Sequence, residues 1–235
     1  MNSNEFNSKE HTVKRVFNEV FDKYDLMNDI MSFGVHRVWK KKFINILNPQ
    51  KKTKLIDVAT GTGDIAKLYL DKIQSKGNVY CVDENKEMLK LNKQKNDNNS
   101  NIKWFCSKAE NLPFEDNFFD YYTISFGIRN VKDINSTLKE AYRVLKPGGR
   151  FICLEFSKVE NVTLKKFYNF YSNIIPKIGK IVVGKSYPYE YLTKSIKGFY
   201  NQEELKDKIS EYNFEKITFR NLSFGIVAIH SAWKV

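Results

Sequence analysis

From Lys54 onward, short apolar runs and amphipathic stretches follow one another in strict succession, and that succession constrains the fold more than any other feature. KLIDVA, NVYCVDEN, IKWFCSKAE, YYTISF and RFICLEFS read as buried strands. IAKLYLDKIQ, EMLKLNKQK and DINSTLKEAYRVL read as helices between them, NLPFEDNFFD as a connector holding Pro113, NDNNSN as a loop, and Pro147, Gly148 and Gly149 as turn residues. Parallel strands need such crossovers, so the expected fold class is α/β, with a mostly parallel sheet and helices on both faces. EKITFRNL and GIVAIHSAWKV, joined at a turn with Ser223 and Gly225, add a C-terminal antiparallel hairpin and bring the count to seven strands.

Ahead of the first strand, residues 10 to 48 have helical spacing: Val13, Val16, Phe17, Val20, Phe21 and Tyr24, then Trp39, Phe43 and Leu47. Residues 163 to 183, TLKKFYNFYSNIIPKIGKIVV, are aromatic and apolar with scattered lysines, and QEELKDKISEYN reads as a helix. No Pro/Gly/Ser-rich linker interrupts the 235 residues, which points to a single domain.

The net charge of +12 fits a nucleic-acid or anionic-membrane partner, but Lys and Asn are spread along the whole chain, as in KQKNDNNSN and KDKISEYN, and a compositional bias explains them better. Cys81, Cys106 and Cys153 are odd in number and sit in strand-like runs, which argues against a disulfide framework or a metal cluster and fits a reducing cytosol. Neither a signal peptide nor an 18-residue apolar run is visible, so a soluble, cytoplasmic protein is expected.

The run DVATGTGD, Asp57 to Asp64, stands at a strand-to-helix turn. Gly61 and Gly63 let the backbone pass close to a ligand. Asp83 ends the second strand twenty residues after Gly63, where a carboxylate accepts the hydroxyls of a ribose. A dinucleotide turn wants a third glycine, but Ala66 stands there, and Asp64 at the opening of the helix repels phosphate and welcomes a sulfonium or ammonium. Those substitutions point to S-adenosyl-L-methionine; Asp64 reads equally as a helix N-cap.

YDLMNDIMSFGVHRVW (Tyr24 to Trp39) and RVLKPGGRFICLEFS (Arg143 to Ser157), with AENLPF, ISFGIRNV and YEYLTKSI, resemble the ubiquinone/menaquinone biosynthesis C-methyltransferase family, a class I S-adenosylmethionine-dependent group with a Rossmann-like fold. The resemblance runs from about Val16 to Val235. It divides the domain into an N-terminal helical cap over the active site (1–50), a cofactor-binding core (51–158) and a C-terminal substrate and tail region with the final strands (159–235). Gly61, Thr62, Gly63, Asp83, Lys108, Ala109 and Ser125 are the implied cofactor contacts. Two departures stand out: Thr60 replaces a glycine common in relatives, and Lys108 replaces a small or acidic polar residue, leaving its backbone for the adenine.

The implied reaction is C-methylation of a polyprenylated benzoquinol or demethylmenaquinol. Its phenolic hydroxyl, with a pKa of about 10, must lose or share a proton before the ring carbon turns nucleophilic. Arg129 and Asn130 follow strand four at its carboxyl edge, within reach of substrate oxygens. Arginine stays charged and suits a developing phenolate. His36 suits a proton acceptor, and also a structural histidine on an amphipathic helix. Tyr24 and Asn28, four apart, share a helical face and are expected to bind quinol oxygens, whereas Met27 and Met31 fit core packing. Glu155 fits a proton acceptor, and also an ion pair with Arg143 or Arg150.

On this reading the Tyr24 to Trp39 signature covers the active-site mouth, and a prenylated substrate brings peripheral contact with the inner face of a membrane or with other quinone-biosynthesis enzymes. A homodimer is compatible with it, and a nucleic-acid partner has no catalytic tetrapeptide to support it. The alternatives are a methyltransferase for another small aromatic or lipid, and a non-catalytic subunit that binds S-adenosylmethionine.

Overall fold

The computed structural model describes residues 12, 28–29, 32, 34–95, 99–159 and 187–235. Tyr24, Met27, Met31 and the stretch at 163–183 lie outside the described residues, as does most of the helical pattern before residue 34. In chain order the elements are α1 (His36–Leu47), β1 (Lys54–Val58), α2 (Asp64–Lys72), β2 (Asn78–Asp83), α3 (Lys86–Lys95), β3 (Ile102–Cys106), β4 (Phe119–Ser125), α4 (Ile134–Val144), β5 (Leu145–Phe156), α5 (Tyr187–Lys197), α6 (Gln202–Ser210), β6 (Glu215–Leu222) and β7 (Val227–Trp233).

The strands form one seven-stranded sheet in the order β3-β2-β1-β4-β5-β7-β6. β1 to β5 are parallel, while β7 runs antiparallel between β5 and β6. The expected C-terminal hairpin is present, with β7 inside the sheet and β6 at its edge. β6 carries alternate exposed positions including Lys216 and Arg220, as suits an edge strand. Strand order reverses between β1 and β4, and ligands of such sheets bind beyond the carboxyl ends at that point.

One stretch departs from the expected turn. Pro147, Gly148 and Gly149 lie within β5, whose register against β4 jumps between Leu145 and Arg150. Gly148 takes φ 78°, and a Cβ on Gly149 would stand 2.7 Å from the Lys146 carbonyl oxygen. The bulge thus needs both glycines, and the strand continues through it because Gly148 N and Gly149 O bond to Lys234.

Each face of the sheet carries a core. On one, Trp39, Phe43, Ile44 and Leu47 of α1 pack with Ile65 and Tyr69 of α2 over Leu55, Ile152 and Ile229. On the other, Leu138 and Ala141 of α4 and Leu205 and Ile209 of α6 cover Tyr80, Phe119, Tyr122 and Phe151. Helix ends are set locally: Asp133 caps α4 through Asn135 N and Ser136 N, and Asn201 with Glu204 makes a capping box on α6.

α1 is fixed to the sheet by Arg150. Its guanidinium donates to the Ile46 and Leu47 carbonyls at 2.7 and 3.2 Å and to Ser231 Oγ at 2.8 Å, and lies over the Trp233 ring. Those carbonyls belong to the last turn of α1, where the helix dipole favours a cation. Arg150→Met keeps the stem and removes the donors; chemical unfolding of this variant is expected to show a loss of about 2 kcal/mol.

Candidate active site

β1 ends in Ala59-Thr60-Gly61-Thr62-Gly63, and the three residues Ala59, Gly61 and Gly63 all have positive φ (52°, 53° and 75°). A Cβ on Gly63 would come within 3.1 Å of the Trp104 ring, so glycine serves both the conformation and the packing. After β4 the chain repeats this behaviour at Phe126, φ 55°. The two turns touch: a Cβ on Gly127 would lie 2.5 Å from that of Ala59. Left-handed non-glycine residues facing each other at strand ends are strained features typical of ligand sites.

Asp57 organises these turns from beneath. It is 1% exposed, and its two oxygens accept from Thr60 Oγ1 at 2.6 Å and Thr123 Oγ1 at 2.8 Å. Burial pushes its pKa up to about 6, with the two threonine bonds opposing. Asp83 accepts from Gly61 N at 2.9 Å and Asn85 N at 3.0 Å, and Asn92 Nδ2 donates to the Gly61 carbonyl. Burial raises the Asp83 pKa against these backbone donors.

Asp64 is not the helix cap. Gly63 holds that position without a side-chain bond, and Asp64 stands in the first turn of α2, favourable to the dipole. Its carboxylate instead accepts from Lys40 Nζ at 2.7 Å; burial alone would raise its pKa, and the Lys40 charge and hydrogen bond bring it below the ordinary value. Lys40 comes from α1 and is 7% exposed.

A cleft opens here, lined by Asn28, Lys40, Asp57, Ala59, Thr60, Gly61, Thr62, Asp64, Ile65, Ser125 and Phe126. Of the residues expected around the cofactor, Gly61, Thr62 and Ser125 line it. Gly63 is buried below the turn, and Asp83 grips it from the end of β2. Lys108 and the buried Ala109 follow β3 in the loop whose Ser107 N bonds the Asp83 carbonyl at 3.2 Å. Ser125 Oγ is buried with no partner among the described residues. Asn28, expected on the substrate, also lines the cleft; Tyr24 lies outside the described residues.

Arg129 and Asn130 sit on the 3-10 turn Ile128–Asn130 beyond β4. Arg129 is 7% exposed; its NH1 donates to Glu155 Oε1 at 2.8 Å and to the Phe126 carbonyl at 2.6 Å, and Nε has no partner among the described residues. Glu155 therefore pairs with Arg129, not with Arg143, which holds Glu140 and Asp116, nor with Arg150. Burial raises the Glu155 pKa and the Arg129 charge lowers it. Tyr191 of α5 donates to Asn130 Oδ1 at 3.1 Å. Trp39, Phe126 and Phe156 stand together, with ring centroids 4.9 to 6.3 Å apart, beside this polar group.

His36 is 3% exposed with Nε2 at 2.9 Å from Asp29 Oδ1, and Asp29 also binds Arg37. Burial lowers the His36 pKa and the Asp29 bond opposes it. An ionised carboxylate only accepts, so Nε2 carries the hydrogen and Nδ1, which has no partner among the described residues, keeps its lone pair. Four residues escaped the sequence reading: Lys40, Glu155 as the partner of Arg129, Tyr191 and the supporting Asp57. Asp57 opens the glycine-turn motif, Tyr191 lies within YEYLTKSI, and Lys40 directly follows the signature one turn from His36, so each stands in or beside a motif.

The Asp57 environment has a measurable consequence. Below about pH 4 both folded and unfolded chains largely hold this proton; as pH rises to about 6 the unfolded chain releases it first, and the Asp57 contribution to stability falls by on the order of 3 kcal/mol. Asp57→Asn is expected to remove that contribution, read as a change in urea unfolding free energy from about pH 4 to about pH 7 that differs from the wild-type change by about 3 kcal/mol in favour of the folded variant.

A family model described as the ubiE/COQ5 methyltransferase family matches residues 5–234. The ubiquinone/menaquinone biosynthesis C-methyltransferase UbiE of Rickettsia bellii (strain OSU 85-389) is 54% identical over 236 residues, covering 97% of this chain and 95% of that protein. The protein of the same name from Rickettsia prowazekii (strain Madrid E) is 52% identical over 238 residues, covering 98% and 96%. Among solved structures, a SAM-dependent methyltransferase of Thermotoga maritima, a possible histamine N-methyltransferase, superposes with a TM-score of 0.67 at 20% identity, covering 95% of this chain and all of that one. One from Aquifex aeolicus gives 0.64 at 17% identity, covering 90% and 98%. Those two share the fold; the family match and the full-length identity with the Rickettsia proteins go further, and the chain belongs to the ubiE/COQ5 methyltransferase family.

Proposed function

We propose that this protein transfers a methyl group from S-adenosyl-L-methionine to a ring carbon of a polyprenylated benzoquinol or demethylmenaquinol, in ubiquinone or menaquinone biosynthesis. The observation that carries the reading is identity above one half, over nearly the full length of both chains, with proteins named for that reaction.

The residues of the cleft fit the cofactor. Asp57 and Asp64 line it and Asp83 stands behind Gly61, an acidic surround for a cationic ligand, and Ser125 Oγ is a buried polar atom with no partner among the described residues. In this proposal Asp83 takes the ribose hydroxyls, Gly61, Thr62 and Gly63 bring backbone against the ligand, and Lys108 and Ala109 flank the adenine. When bound, the cofactor supplies an electrophilic methyl carried on a sulfonium.

The chain's own residues then prepare the quinol. Trp39, Phe126 and Phe156 form an apolar wall for its ring, and Asn28, Asn130 and Tyr24 bind its oxygens. Arg129, held by Glu155, offers a fixed positive charge to the phenolate that develops as the hydroxyl loses its proton. His36, kept neutral by burial and oriented by Asp29, accepts that proton at Nδ1. A prenyl tail places the protein at the cytoplasmic face of a membrane or beside other quinone-biosynthesis enzymes; among the described residues no helix is long and apolar enough to cross a membrane.

Deleting the gene and profiling extracted quinones tests the reading: a demethylated quinone should accumulate, and an unchanged profile would overturn it. Within the site, Asp83→Ala should weaken S-adenosylhomocysteine binding by about 10- to 100-fold. Arg129→Lys keeps a cation opposite buried Glu155 but loses the rigid fork, so binding should stay within about threefold while turnover drops about 100-fold. Calorimetry and a methyl-transfer assay separate the two, and equal loss of binding in both would refute this division of roles.

A further inference from the structure

Lys40 is buried, comes from α1 and ends inside the cleft, although a lysine paired with one half-buried aspartate could as well make that pair in solvent. Burying an ammonium costs several kcal/mol after relaxation, and one carboxylate repays this only in part. The buried Asp57 feels the Lys40 charge only through space, and among the described residues the ammonium uses one of its three N–H donors, on Asp64, so donors remain for an arriving anion. Among the described lining residues the charged side chains are Asp57, Asp64 and Lys40, so Lys40 is the one cation the cleft presents. Asp83 holds Gly61 N at the other side of the glycine turn, which separates the sugar end of a ligand from the Lys40 end.

We propose that Lys40 is the receptor for the α-carboxylate of the cofactor's amino-acid end, with Asp64 orienting Lys40 and facing the α-ammonium. This rests on the cofactor reading above and adds to it a specificity determinant. A zwitterionic amino-acid tail carries one charge of each sign, and the Lys40–Asp64 pair offers one of each, 2.7 Å apart. The charge-assisted bond discriminates a ligand with the carboxylate from one without it. Because Lys40 lies one helical turn beyond His36, the helix that holds the proposed proton acceptor also reads the presence of the cofactor.

Isothermal calorimetry on the full chain tests this with S-adenosylhomocysteine and with its decarboxylated analogue, 5′-deoxy-5′-(3-aminopropylthio)adenosine. The wild-type protein should prefer S-adenosylhomocysteine by about 10- to 100-fold, and Lys40→Met should bring the two ligands within about threefold of each other. A merely structural lysine would weaken both ligands and leave their ratio intact, and that outcome overturns the proposal. Lys40→Gln keeps a donor for Asp64 and carries the same reading where Lys40→Met does not fold. Failure of the wild-type protein to bind S-adenosylhomocysteine at all would instead overturn the cofactor reading, and this proposal with it.

Discussion

The carboxylate of Asp57 is the constraint on which the cleft depends. A carboxylate placed at the carboxyl end of a central strand, shut away from solvent, must find its hydrogen bonds inside the protein. It finds one in Thr123 on the neighbouring β4 and the other in Thr60 on its own outgoing loop. The loop after β1 is thereby tied to two strands. Thr60 N bonds the Val82 carbonyl at 3.1 Å and Gly61 N bonds Asp83, which ties β2 to the same turn. Three parallel strands are laced together at the point where the sheet order reverses, and this lacing holds the left-handed turn at Ala59, while Phe126 N bonds the Leu154 carbonyl of β5 at 2.7 Å.

Two ion pairs flank the cleft, and their burial gives them different work. Arg129 and Glu155 are both almost wholly enclosed, with side chains 5% and 1% exposed. Such a pair contributes little net stability, because desolvation offsets the attraction, but removing one partner strands the other. Its effect is to fix a guanidinium at the exit of β4, where the Phe126 carbonyl also accepts from it. A fixed charge stabilises developing charge better than a mobile one, since it need not reorganise. Lys40 and Asp64 are more open on the acidic side, with Asp64 34% exposed, so an added ligand can join that pair without dismantling it.

The sequence made the sheet legible because period and punctuation agree there: five apolar runs, each followed by a helix or a polar connector, became five parallel strands. The bulge in β5 was not legible. Pro147, Gly148 and Gly149 carry turn chemistry, and only pairing with Lys234, near the other end of the chain, keeps them in a strand. The glycine turn and Asp83 could be placed around the cleft since strand ends converge by topology, whereas Ser125 came from the family resemblance and Asn28 from helical spacing in the signature. Side-chain partners could not. Glu155 reaches Arg129 across 26 positions and Lys40 reaches Asp64 across 24, through packing that no local pattern encodes. Asp64 illustrates the cost: an acidic residue opening a helix reads as a cap, yet its carboxylate turns to Lys40 in the cleft.

α1 contributes Lys40 to the lining of the cleft and is firmly anchored to the sheet. Phe43 has no exposure, Arg150 binds the last carbonyls of the helix, and Trp39 Nε1 donates to Ser223 Oγ at 2.9 Å across the β6–β7 turn. The face that makes these anchors also carries His36 and Lys40, because positions 36, 39, 40, 43 and 47 fall on one side of a helix. Apolar residues at 39, 43 and 47 bury the helix, while Lys40 lines the cleft and His36 turns to Asp29. The mixture of residue types along α1 thus has a physical reason: one helical face must serve both the core and the cleft.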